Sequence, residues 1–400
     1  MPTGRVKSTC TDNSADATRQ SRATSSDSAS SKRSECFSKW DLLRESTAKA
    51  RLLRAAIALD GPDEPTEDDW DDWVELASRE RVLPLLYKVA ASMHKPRESL
   101  LVQATAVQLD VMATMVQFEH ELLLVSDILS KAGVEFAVLK GAATSHLDYF
   151  TPELRQFGDI DLLVSPRDFH AVTALLGEQG WAQAYPLPRH HERFTHAVTL
   201  RSANAVEVDL HQRIAHRAIG ELVRTQDLLA NTQGYEIAGK QLQSLSREDR
   251  LIHAAIHSIT SRGPYSRLSS TADVLVLADA AREAPQAALE RADSFRITSL
   301  MLRAVESAYA AAQLPLPTAW LQANIQSAGG DDRLTGWAYL SPARRPAIEE
   351  LAYLRLMRGW RNRYDYVRGY FTTDADYSAR RHRSGLVDQS KYLLSRLRSR

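Results

Sequence analysis

A chain of 400 residues outgrows a single hydrophobic core, so two or three packed units are expected rather than one globule. Its 50 basic and 50 acidic side chains cancel to a formal net charge of zero, which excludes the overall positive field of a duplex-gripping polymerase or of a protein drawn to anionic membranes. The only cysteines, Cys10 and Cys36, supply no disulfide framework or cysteine-rich metal site; no run approaches the roughly 18 apolar residues of a membrane span and no secretory signal opens the chain, so a soluble, cytoplasmic protein without a membrane partner is expected.

Residues 1–37 are dominated by Ser, Thr, Asp, Lys and Arg and are expected to form a disordered tail, because so little apolar surface cannot offset the entropy of ordering. The stretch 38–132 reads as helical. A first helix runs from Trp40 past Ile57 to the Asp60-Gly61-Pro62 stop, and Thr66 with Asp69 forms a capping pair ahead of Trp70, Trp73, Leu76 and Ala77 on one face. After Lys95-Pro96 a long periodic segment from Leu100 to Lys131 puts Leu109, Met112, Met115, Val116, Leu122 and Leu123 on one side and ends at Gly133.

At Val134 the texture changes, and 133–217 reads as a small α/β core. Residues 134–139 favour a strand, Lys140-Gly141-Ala142-Ala143 opens a helix, and a polar loop from Thr151 to Gly158 leads to a second strand, Asp159-Ile160-Asp161-Leu162-Leu163-Val164. Ser165-Pro166 predicts a helix start, and the runs 194–200 and 205–210 predict a hairpin turning at Ser202-Ala203-Asn204. From about Gly220 the pattern returns to helix through 340, with Ser246 and Asp249 as another capping pair. The end, 341–400, is an Arg-rich helical extension or tail, read as a solvated face; specific nucleic-acid binding is not expected. The fold class is therefore α+β and helix-rich: a small mixed sheet flanked by helical segments on both sides.

Asp159 and Asp161 are two residues apart on a predicted strand, so both carboxylates fall on one face. Asp209, on the alternating run Val206 to His211, completes a three-carboxylate cluster of the kind that holds two Mg²⁺ ions, with Mn²⁺ as an alternative. Upstream, Gly141 permits close approach of a phosphate to the start of the following helix, and Lys140 and Arg155 add cationic donors. His211 lies on the same side of its strand as Asp209 and would orient the site.

These residues resemble the bacterial uncharacterised nucleotidyltransferase family of the polymerase-β-like superfamily, in the strand-Leu139-Lys140-Gly141-Ala142-Ala143 segment, in Arg155 ahead of Asp159-Ile160-Asp161, and in Val208-Asp209-Leu210-His211. The pattern spans roughly residues 40–300. The resemblance implies transfer of NMP from an NTP, with Asp159, Asp161 and Asp209 catalytic and metal-holding, and Lys140, Gly141, Ala142, Thr144 and Arg155 at the nucleotide. It names no acceptor; a small molecule, a peptide or a protein all fit. Where the superfamily carries Gly-Ser or Gly-Gly, this chain has Gly141-Ala142, so Lys140 or Thr144 would replace the missing hydroxyl.

Two other classes compete. A non-catalytic relative would keep the fold as a nucleotide- or partner-binding module, serving as a biosynthetic accessory or antitoxin-like protein, although three clustered carboxylates are costly without a cation. A metal-dependent glycosyltransferase also uses Asp-x-Asp but requires more strands before it. His253 and His257 have a zinc-ligand spacing without the glutamate of a zincin and read as packing residues; His190, His191 and His196 form a loose group near the expected cleft.

Overall fold

In the computed structural model the residues described are 39–59, 65–66, 69–93, 98–185, 194–261, 267–326, 331–341 and 346–371. The polar tail with Cys10 and Cys36, the Asp60-Gly61-Pro62 stop, Lys95-Pro96, His190, His191 and the arginines beyond residue 371 lie outside them.

Strand β1 (Phe136–Leu139) arises where expected and pairs antiparallel with β2 (Ile160–Val164). On the far side of β2, β5 (Glu207–His211) runs parallel to it and forms the predicted hairpin with β4 (Ala197–Arg201), to which the two-residue β3 (Ala182–Gln183) adds an edge. The sheet does not end at residue 217. A hairpin of β6 (Thr232–Ile237) and β7 (Lys240–Leu245) joins β1 in parallel, giving seven strands in the order β3-β4-β5-β2-β1-β7-β6. Its strands, TQGYEI and KQLQSL, carry few β-branched residues and several glutamines, so their period-two signal is faint. With this mixed sheet and abundant helix, the fold is α+β as expected.

Four helices precede the sheet: α1 (Lys39–Ala56), α2 (Trp70–Arg79), α3 (Leu83–Ser92) and α4 (Glu98–Lys131). Trp70, Trp73, Leu76 and Ala77 are buried on α2 as their spacing predicts. Asp69 nonetheless accepts from the Thr66 hydroxyl at 2.9 Å and makes no side-chain bond to the helix. Within the sheet region lie α5 (Lys140–Leu147) and α6 (Phe169–Glu178), the latter starting one turn after Ser165-Pro166. Among the described residues ten further helices follow from residue 217, including α7 (Arg217–Leu222), α8 (Thr225–Leu229), α9 (Arg247–Thr260) and α10 (Leu268–Ala280); the Ser246 hydroxyl caps α9 by accepting from the Asp249 amide at 3.2 Å.

The period of two divides β2 between two cores. Ile160, Leu162 and Val164 join Val208, Leu210 and the α4 residues Leu122, Val125 and Leu129. Leu163, with Ala137 and Leu139 of β1, joins Leu251, Ile252 and Ala255 of α9. Asp161 shares the face of Leu163, so its carboxylate looks toward the C-terminal helices rather than toward α4.

Helix α4 departs from its expected orientation. It buries Leu100, Ala104, Val111, Met115 and Leu122, while Leu109, Met112 and Val116 are exposed. The segment is apolar on more than one side, so periodicity alone leaves its inward face ambiguous. Contrary to the reading of composition, this helix is long and apolar enough by those two measures to cross a membrane, with 28% of its most apolar window buried here.

Candidate active site

The site is built at the C-terminal end of β1, where the chain reverses. The sharp backbone turn falls on Lys140 (φ 46°), where a non-glycine residue costs about 1–2 kcal/mol. Gly141 is required for a different reason. A Cβ added to it would lie 2.4 Å from Phe157 Cβ. Gly141→Ala is therefore expected to lose about 2 kcal/mol in urea unfolding. A Phe157→Leu change should give no relief, since leucine keeps the clashing atom; full recovery of stability in that double variant would remove the explanation.

Adjacent parallel strands set Asp161 directly beside Asp209. With His211 they form a group whose ligand atoms lie within 4.8 Å of one another, a buried Asp-Asp-His cluster that could hold a metal ion. Asp159 stands one residue before β2, outside that group but close enough that its charge and that of Asp161 repel. Thus the structure gathers Asp161 and Asp209 as the spacing implied, adds His211, and leaves Asp159 at the mouth.

Asp161 Oδ1 accepts from Lys140 Nζ at 2.6 Å and from His211 Nε2 at 2.8 Å. Burial alone would raise this carboxyl, but the lysine and the histidine hold it well below the usual carboxylate range. The charge of Asp161, followed by burial, pushes Asp159 up to about 6. Burial, followed by the Asp161 charge, raises Asp209, which also accepts from the Thr199 hydroxyl at 2.6 Å. For Lys140 burial acts downward, yet the carboxylates outweigh it and keep the ammonium charged. Three carboxylates face the Lys140 ammonium, with Arg81 a weaker influence on Asp159, leaving an excess of negative charge that suits a divalent ion.

A cleft of about 270 Å³ opens beside this cluster, lined by Lys140, Gly141, Thr144, Arg155 and Asp159. Ala142 is not at the cleft: the turn of α5 sends its side chain into the core, where it is 1% exposed, so only its backbone remains for a ligand. Arg155 lines the cleft with its guanidinium engaged by Asp273, Nε to Oδ1 at 2.6 Å and Nη2 to Oδ2 at 2.8 Å. Asp273 also accepts from the Tyr149 hydroxyl at 3.0 Å. Asparagine at position 273 keeps the shape and loses the charge, so a loss of about 1–2 kcal/mol is expected in thermal unfolding. No change in melting temperature would show that the pair is replaced by solvent.

Sequence reasoning missed several wall residues. Arg81 comes from the turn between α2 and α3, Arg250 and Asp273 from helices after the sheet and Arg267 from just before α10, and no local spacing marks them. His253 and His257 also line the cleft, both held neutral by burial, His257 down to about 3. His196 stacks on His216 with ring centroids 3.4 Å apart and meets His211 edge-on at 5.4 Å.

A family model described as uncharacterised nucleotidyltransferase matches residues 66–310, which is more than half of the chain. The chain belongs to this family. The matched region holds the whole sheet and all cleft residues named above. One solved structure, the crystal structure of an antigenic nucleotidyltransferase-like protein from Paracoccidioides brasiliensis, is similar over 49% of this chain and 92% of that chain, at 16% identity and a TM-score of 0.29. That likeness is too loose to bear on the site. No curated protein matches the chain.

Proposed function

We propose that this member of the family is a Mg²⁺-dependent nucleotidyltransferase of the polymerase-β-like kind, moving NMP from an NTP to a hydroxyl or phosphate on a small molecule, peptide or protein. The observation that carries the reading is the pairing of Asp161 with Asp209 on adjacent parallel strands, with Asp159 beside them at the mouth of a cation-lined cleft. Asp159, Asp161 and Asp209 would hold Mg²⁺, or Mn²⁺ given the imidazole of His211 beside them. Bound there, the metal supplies charge neutralisation at the phosphates and activation of the attacking oxygen.

The remaining work falls to the chain. Lys140 and the backbone at the start of α5 face the phosphates, and Thr144 offers a hydroxyl from one turn further along. The acceptor oxygen attacks the α-phosphorus, the bond from that phosphorus to the bridging oxygen breaks, and pyrophosphate leaves. Where the acceptor is a hydroxyl, its proton passes to the Asp209 carboxylate or to water.

The Lys140–Asp161 ion pair favours one second reading. It gives part of the cluster a cation of the protein's own, as a nucleotide- or partner-binding module without catalysis would need. Incubation with each α-³²P-labelled NTP, Mg²⁺ and cell extract separates the two. Label should move to an acceptor with the wild type and not with the Asp159→Ala, Asp161→Ala double variant. Nucleotide binding without transfer would instead establish the module, and transfer surviving in the double variant would end the catalytic assignment.

A further inference from the structure

We propose that Arg81 is the side chain that takes the polyphosphate of the incoming nucleotide, an inference that rests on the nucleotide-binding reading above. Five Lys or Arg side chains line the cleft, and four have partners. Lys140 is bound to Asp161 at 2.6 Å, Arg155 to Asp273, and Arg250 to both oxygens of Asp148 at 2.8 Å each. Arg267 gives Nη1 to the backbone oxygen of Arg79 at 2.7 Å. Arg81 alone of the five makes no side-chain hydrogen bond or ion pair among the described residues. An entering polyanion is drawn first to a cation whose charge is not already answered.

The position of Arg81 is built rather than incidental. It occupies the corner between α2 and α3 in the left-handed region, φ 57°, which an arginine adopts only at a cost. That corner is fastened from the other end of the chain. The Leu268 amide donates to Glu80 Oε2 at 2.9 Å, the Ser269 amide to the Glu80 carbonyl at 3.3 Å, and Arg267 to Arg79. So held, the guanidinium reaches Gly158: a Cβ placed there would find Arg81 Nη1 as its nearest neighbour, at 3.9 Å. The next residue is Asp159, whose carboxyl Arg81 pulls downward. Arg81 therefore lies beside Asp159 at the cleft, where a triphosphate meeting a metal held by the carboxylates would also meet the guanidinium.

Arg81→Ala, Arg81→Lys and Arg81→Gly are compared in the full chain by titration calorimetry, with Mg²⁺ and three probes: a non-hydrolysable ATP analogue, AMP and inorganic tripolyphosphate. Loss of one charge-assisted contact should weaken the analogue and tripolyphosphate by about 10- to 100-fold in the alanine and glycine variants, with AMP changed less than about 2-fold. Lysine should restore part of the affinity. Glycine relieves the backbone strain, so its melting temperature should match or exceed the wild type's; weak binding in that variant cannot come from misfolding. Unchanged tripolyphosphate affinity, or an equal loss for AMP, overturns the assignment. Arg81-dependent tripolyphosphate binding without any nucleotide transfer keeps it while the catalytic reading fails. A wild type that binds neither phosphate probe overturns both.

Discussion

Asparagine at position 161 is expected to lower label transfer by about 10³-fold or more, equivalent to about 4 kcal/mol of lost transition-state stabilisation. The carboxylate is the one group in contact with both Lys140 and His211 and lies in register with Asp209, so its charge organises everything beside it. The same substitution leaves the Lys140 ammonium without its acid, which destabilises the fold on its own account. A second variant separates the effects: Asp161→Asn combined with Lys140→Met should regain melting temperature and stay inactive. Transfer within tenfold of wild type in folded Asp161→Asn protein would remove this residue from the chemistry.

The second large effect concerns stability in metal-free buffer. With its pKa at about 6 in the folded protein against 3.8 in the unfolded chain, Asp159 holds its proton more tightly when folded. Its contribution is fully favourable below about pH 4 and is lost as the pH rises through about 6, above which the bare carboxylate is a net cost. Asp159→Asn should therefore be more stable than wild type at pH 8, by about 2–3 kcal/mol, and no more stable at pH 4. Added Mg²⁺ should close the gap by stabilising the wild type alone. Denaturant midpoints at both pH values check this; a difference independent of pH would place the cause in packing instead of charge.

How much of this was legible beforehand follows the range of the interactions. Strands β1, β2, β4 and β5 each announce themselves within a few residues, and a two-residue period suffices to put Asp161 on the face of Asp159 and Asp209 on the face of His211. The β6–β7 hairpin is hidden because glutamine and glycine replace the branched residues that mark a strand. Leu109 and Val116 on α4 point outward because an apolar surface broader than one stripe does not choose its own inner side. Within the site, two local features carry no sequence signal: the strained dihedral at Lys140, and the close packing of Gly141 on Phe157. His211 could be assigned to the right side from strand parity, whereas the ion pairs Arg155–Asp273 and Arg250–Asp148 join distant segments and leave no local trace.

The fastening of Glu80 to the first turn of α10 bears on how this protein can be dissected. One wall of the cleft is made by residues that precede the sheet and is held in place by residues that follow it. A fragment trimmed to the strands and the helices between them would retain the carboxylates yet lack Arg81, so a unit that keeps the cleft whole has to include both helical flanks.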